Sequence, residues 1–179
     1  YTGIYPVKSG AWPNHTRVYP GTKSIAHYLG DAGYRVALSG KTHISPEESF
    51  PFEYSGEFRA ADPFKDDPFP TIEKLLTDSK EGGTPFCLFA CSSEPHTPYN
   101  KGDASVYDPA KLKLPPTFVD TANTRQEYAK YLAEITYFDS QCAALLNLLD
   151  KHDLAKDTLV MVVSEQGSGF PFAKWTCFE

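Results

Sequence analysis

No apolar run in the 179 residues approaches the roughly 18 needed to cross a bilayer, so no membrane partner is expected. Positive charge is also short. Seventeen Lys and Arg stand against 23 Asp and Glu, giving a formal net charge of −6 and a pI near 5.4. No nucleic-acid partner is therefore expected, since such binding rests on a basic stripe. None of the four cysteines, Cys87, Cys91, Cys142 and Cys177, stands in a CxxC pair, which argues against a structural zinc site. Cys87 and Cys91 fall in one predicted strand. At about 3.3 Å per residue they are roughly 13 Å apart, too far to bridge each other. Small buried hydrophobes are the expected role. No signal peptide is visible, and the first residue is Tyr1 rather than Met, so a piece of a longer chain is expected. Internal repeats, low-complexity tracts and composition shifts are absent too, so residues 1–179 are read as one incomplete domain. The hydrophobic fraction of 41% and charged fraction of 22% are ordinary for a globular protein with a real core.

The pattern organises around residues 158–175, TLVMVVSEQGSGFPFAKW. The apolar run 159–163 is short, β-branched and bounded by polar residues, and it predicts a buried strand. Residues 34–38 and 86–91 predict two more. Gly and Pro punctuate residues 1–21, which read as loop or extended chain. Helical spacing predicts a helix over 22–32, capped by Thr22 or Gly21 and followed by Gly33 in the left-handed position. A second helix opens at Pro70 and runs to about Ser79, and Gly82 and Gly83 end it. The longest helix covers 124–150, with Tyr128, Tyr131, Leu132, Ile135, Phe138, Cys142, Leu145, Leu146 and Leu149 as one apolar stripe. Residues 44–70 and 100–123 read as irregular loops. Strands alternating with helices predict an α/β fold with a mainly parallel sheet.

Each predicted strand runs into a polar cluster, and a parallel sheet puts such ends along one edge, where ligands bind. After the first come Lys41 and His43. After the second comes His96, in a Pro-His-Thr-Pro turn stiff enough to hold a general acid. After the third come Glu165 and Gln166, then Lys174. Glu165 and Gln166 offer only oxygen ligands, which suits calcium or magnesium better than zinc. Asn14 and His15 read either as turn residues or as part of a site. Taken singly, each of these is also an ordinary loop residue. Together they are an inventory for gripping a tetrahedral oxyanion, sulfate or phosphate, and cutting its ester.

The chain resembles the sulfatase family of the alkaline-phosphatase-like superfamily. Thr2-Gly3-Ile4-Tyr5-Pro6 is similar to the family's TGxYP segment, and SIAHYLGDAGYRVALSGKTH, residues 24–43, to its stretch ending in GKWH. Pro95-His96-Thr97-Pro98-Tyr99 resembles its PHxPY loop, residues 158–167 its TLVVFTSDHG strand and metal corner, and Lys174 its following lysine. The resemblance implies a three-layer αβα domain, here partial. It implies that Lys41 and Lys174 hold sulfate oxygens, that His43 contacts the nucleophile, and that His96 serves the leaving oxygen or nitrogen. Glu165 and Gln166 would supply part of a calcium site, with magnesium as the alternative ion. The nucleophile would be a formylglycine hydrate, which attacks sulfur, releases the alcohol and then eliminates sulfate. The partner would be a sulfated small molecule or glycan, and the location periplasmic, secreted or lysosomal.

Two departures from the family pattern stand out. Glu165 and Gln166 occupy places where the family has Asp followed by Asn or His. The nucleophile motif, CxPxR or SxPxR, occurs nowhere in residues 1–179. In the family it lies just upstream of TGxYP, so the missing parts of the parent chain are expected partners, and these residues alone are expected to be inactive. A phosphodiesterase or phosphatase of the same superfamily, and a non-catalytic binder of sulfated glycans, are the alternative expectations.

Overall fold

The computed structural model describes all residues except 13, 14, 165, 172, 173 and 175–179. Contacts group the chain into two compact units, Tyr1–Ala61 with Phe69–Ser92, and Asp62–Pro68 with Ser93–Glu179. Among the described residues no helix is long and apolar enough to cross a membrane.

The first unit holds the sheet. Its elements are α1 (Pro6–Ser9), α2 (Ile25–Asp31), β1 (Arg35–Gly40), β2 (Glu53–Ser55), α3 (Glu57–Ala60), α4 (Pro70–Gly82) and β3 (Phe86–Cys91). The strands are parallel in the order β2-β1-β3, as the alternation of strand and helix predicts. The central strand β1 is buried from Val36 onward, while β3 is half-buried throughout. Cys87 and Cys91 share that half-burial, as does Cys142 elsewhere, so these thiols are less enclosed than expected. Burial nonetheless pushes the Cys87 thiol above its usual range.

Local chemistry explains where the elements start and stop. Helix α2 begins at Ser24, not at Thr22 or Gly21. Ser24 is fully buried and forms a capping box with His27, whose Nδ1 accepts the Ser24 N–H at 3.2 Å. Gly33 follows the helix at φ +87°, as expected. Helix α4 starts at Pro70 and has no side-chain cap of its own. The Glu57 carboxylate, on α3, supplies one by accepting the N–H groups of Thr71 and Ile72, each at 2.9 Å. Residues 44–70, read as irregular, contain β2 and α3. A three-residue strand of Glu, Tyr and Ser carries no periodic signal, and its place is set by partners. Arg35 grips Glu53 with two hydrogen bonds, and the buried Ser39 hydroxyl meets Ser55 at 2.8 Å. The core lies around Leu38, Phe58, Phe69, Ile72 and Leu76, each at most 2% exposed.

The second unit is built on α5 (Ala122–Lys151), capped by the Thr121 hydroxyl, which accepts the Thr124 N–H. The expected apolar stripe is only partly the buried one. Ile135 and Leu146 are exposed, whereas Ala129, Ala133, Glu134, Gln141, Leu148 and Leu149 are buried. The helix face is chosen by close approach of the loop over it. A Cβ on Gly102 would come within 2.3 Å of the Ala133 carbonyl oxygen, so that seam admits only small residues.

Residues 159–163 correct the sequence reading most. They form no strand among the described residues, and all five side chains are exposed, Leu159 at 83% and Val163 at 79%. An apolar β-branched run is buried only where a sheet edge and a covering layer receive it, and no described strand pairs with this one.

Candidate active site

In the first unit, Lys41 and His43 follow β1 directly. Gly40 ends the strand at φ +107°, and a Cβ there would meet the Cys91 carbonyl oxygen at 2.2 Å. Only glycine fits this close approach. The Lys41 N–H then donates to that same oxygen at 2.8 Å, carrying the ladder one step past the strand. Gly40 stands opposite Cys91, so β1 and β3 end level, and Lys41 leaves the sheet at its carboxyl edge, half-buried.

His43 is exposed and lines a cavity of about 170 Å³ together with Thr2, Ile4, Pro6 and Val18. Its ring meets His15 edge-on, with centroids 4.6 Å apart. The Val18 N–H donates to the Ser45 carbonyl, which ties the two loops together. His15 holds φ +62°, a conformation uncommon for a residue with a Cβ. Of the two readings left open for His15, the structure puts it beside His43. Asn14 lies outside the described residues. Tyr1 anchors this segment, packing against Phe50, Phe52 and Phe89.

In the second unit, His96 lies exposed in the loop that follows β3. Its Nδ1 sits 2.7 Å from the Thr97 carbonyl oxygen. A carbonyl only accepts, so Nδ1 carries a proton and Nε2 is the nitrogen left to exchange one. The loop's main chain is held by Glu134, which is 1% exposed. Its Oε2 accepts the His96 N–H at 3.0 Å, and its Oε1 accepts those of Asn100 and Lys101 at 2.7 and 3.2 Å.

Tyr99 joins this loop to the segment after residue 163. Its ring stacks on Phe170 at 5.7 Å, and Phe170 is further enclosed by Phe118, Tyr128 and Tyr131. Burial raises the hydroxyl pKa of both Tyr99 and Tyr131. Gln166 is exposed, and its main-chain carbonyl accepts from Ser164 at 2.9 Å. Lys174 is half-buried, and Glu165 lies outside the described residues. Among the described residues, no three His, Cys, Asp or Glu side chains gather to hold a metal. Gln166 offers one neutral amide oxygen, and the other expected ligand, Glu165, is not among the described residues.

A phosphate- or sulfate-directed inventory is common to several families, and the whole-chain pattern decides between them. Residues 1–172 match the profile of the family described as sulfatase. The chain belongs to the sulfatase family. An ulvan-active sulfatase of Formosa agariphila is 28% identical over 171 residues, covering 93% of this chain and 33% of that protein. A human N-sulphoglucosamine sulphohydrolase is 22% identical over 184 residues, covering 88% and 37%. A Bacteroides fragilis structure assigned as a sulfatase superposes with a TM-score of 0.70 at 18% identity, over 86% of this chain and 47% of that one. That likeness concerns the fold alone. The chain spans about a third to a half of these relatives' lengths.

Within this sulfatase-family chain, Lys41 and His43 belong to the first unit, and His96, Gln166 and Lys174 to the second. The sequence reading missed Glu134, and a signal for it existed. Glu134, Gln141 and Leu148 recur every seven residues, which places them on one face of α5. Leu148 marks that face as buried, so a carboxylate on it must be fully hydrogen-bonded.

Proposed function

We propose that the protein carrying this chain is a sulfuric ester hydrolase that removes sulfate from a sulfated carbohydrate, as an ester or a sulfamate. The match of residues 1–172 to the sulfatase family carries this reading. Two of the relatives bear on substrate class, one named as ulvan-active and one as an N-sulphoglucosamine sulphohydrolase.

The roles are those the family resemblance implies, and the chemistry of each residue suits its role. Lys41 and Lys174 bind the anionic sulfate oxygens and hold the group in place, while the charge released as the S–O bond lengthens develops on the leaving oxygen. His96 acts as the general acid. With Nδ1 turned to the Thr97 carbonyl, the proton is delivered from Nε2 to the leaving oxygen or nitrogen, and the ring is left neutral. His43 assists the nucleophile. Formylglycine hydrate would supply the attacking oxygen, and no CxPxR or SxPxR motif within residues 1–179 provides it. Calcium stands in the proposal on the hard oxygen donors of Glu165 and Gln166 alone.

The test is sulfate release by the native protein from an aryl sulfate, a 2-N-sulfoglucosamine unit and sulfated oligosaccharides. Sulfate is expected from at least one sugar substrate, and Lys41→Ala should lower kcat/KM about 100-fold, the scale of losing one oxyanion contact. Turnover of phosphate esters in preference to sulfate, with two zinc ions bound, would overturn the reading in favour of a phosphodiesterase. Tight binding of a sulfated glycan without turnover would overturn it in favour of a binding module.

A further inference from the structure

We propose that Glu134 is a positioning residue for His96, an inference that rests on the acid role given to His96 above. Three observations carry it. The first is the bonding of the carboxylate. Glu134 is 1% exposed, and its two oxygens accept three main-chain N–H groups, from His96, Asn100 and Lys101. A buried carboxylate satisfied by backbone donors makes charge-assisted hydrogen bonds, the stronger kind. The second is which residues it holds. One of the three donors is the N–H of His96 itself, so the acid's own main chain is fixed to a 30-residue helix, not to a neighbouring loop. The third is the seam beside it, where Gly102 lies so close to Ala133 that a Cβ would fall 2.3 Å from the Ala133 carbonyl oxygen. Glu134 and Ala133 are consecutive, so one turn of α5 clamps both ends of the 96–102 loop.

The division of labour is then complete for one side chain. Glu134 sets where His96 starts, and the Thr97 carbonyl sets which way its ring faces. Glu134 does not itself take part in proton transfer, because both its oxygens are engaged with main-chain donors. Its replacement by Gln keeps the shape but turns an NH2 group toward main-chain N–H groups, so at least one bond is lost to a donor–donor conflict. The loop then relaxes and the imidazole moves. A displacement on the order of 1 Å is enough to cost about 100-fold in rate.

The experiment compares two sulfate esters in the native protein, one with a phenol and one with a sugar hydroxyl as leaving group. An acid matters most for the poorer leaving group. Glu134→Gln is expected to lower kcat on the sugar ester by roughly 10- to 100-fold and to leave the phenol ester little affected, with KM similar for both. In a His96→Ala background it should bring no further loss, since paired residues acting as one unit are not additive. Equal losses on both esters, or full additivity with His96→Ala, would overturn the assignment. His96→Ala alone tests the reading beneath: an unchanged ratio between the esters removes the acid role and this proposal with it. If Glu134→Gln does not fold, Glu134→Asp, which keeps the charge, carries the same comparison. Failure of both to fold would make Glu134 a folding residue and also overturn the proposal.

Discussion

Gly40 shows how a single position can connect a sheet to its chemistry. Its φ of +107° and the 2.2 Å approach that a Cβ would make to the Cys91 carbonyl leave no room for a side chain. The next residue, Lys41, is aimed by the hydrogen bond that this approach permits. Gly40→Ala is therefore expected to destabilise the protein by more than about 1–3 kcal/mol, the cost of one strained backbone position alone, because the clash with the Cys91 carbonyl adds to it, and to disturb Lys41. Thermal unfolding checks this, and an unchanged Tm would contradict it. The same observation explains why the Gly-Lys-x-His stretch says so much in the fold and so little as a string. Each letter is common, and the constraint lies in a contact with residue 91.

At the scale of elements, α5 is organised by what lies over it. Tyr99, Phe118, Tyr128, Tyr131 and Phe170 form its aromatic patch, and burial holds the Tyr99 and Tyr131 hydroxyls above the usual phenol range. An acid whose pKa is raised on folding releases its proton more easily in the unfolded chain. Stability is thus fully present below the unfolded value of about 10 and is lost as pH rises from there through the folded values. Alkaline titration followed by tyrosinate absorbance and circular dichroism should show loss of structure coupled to ionisation. Free ionisation of every tyrosine near pH 10, with structure intact, would contradict it. Elements defined by their own residues were legible in the sequence: β1, β3, the Pro70 start of α4, and the length of α5. Those defined by partners were not. Strand β2 depends on Arg35 and Ser39, the start of α2 on a His27 that completes a cap, and the buried face of α5 on a loop passing over small residues. The candidate site divides the same way. Lys41, His43 and His96 could be named from type and place, whereas Glu134 acts through hydrogen bonds that begin 33 to 38 residues away in sequence.

For the molecule as a whole, family membership says what chemistry to look for, and the physical state of the chain says how it must be handled. Residues 158–163, Thr-Leu-Val-Met-Val-Val, carry no charge, no Pro and no Gly, and the five apolar members are exposed. Such a segment has the makings of a steric zipper, in which identical strands from many chains stack in register. The polypeptide 1–179 held in solution is therefore a candidate for fibril growth, with a lag phase, seeding by preformed material and thioflavin binding. Val162→Lys should lengthen the lag, because a charge repeated at every layer of a stack repels itself. Concentrated samples that stay monodisperse with and without the substitution would show that this run is harmless. The apolar run 159–163 that reads as a buried strand in the sequence would then set the shelf life of the isolated chain.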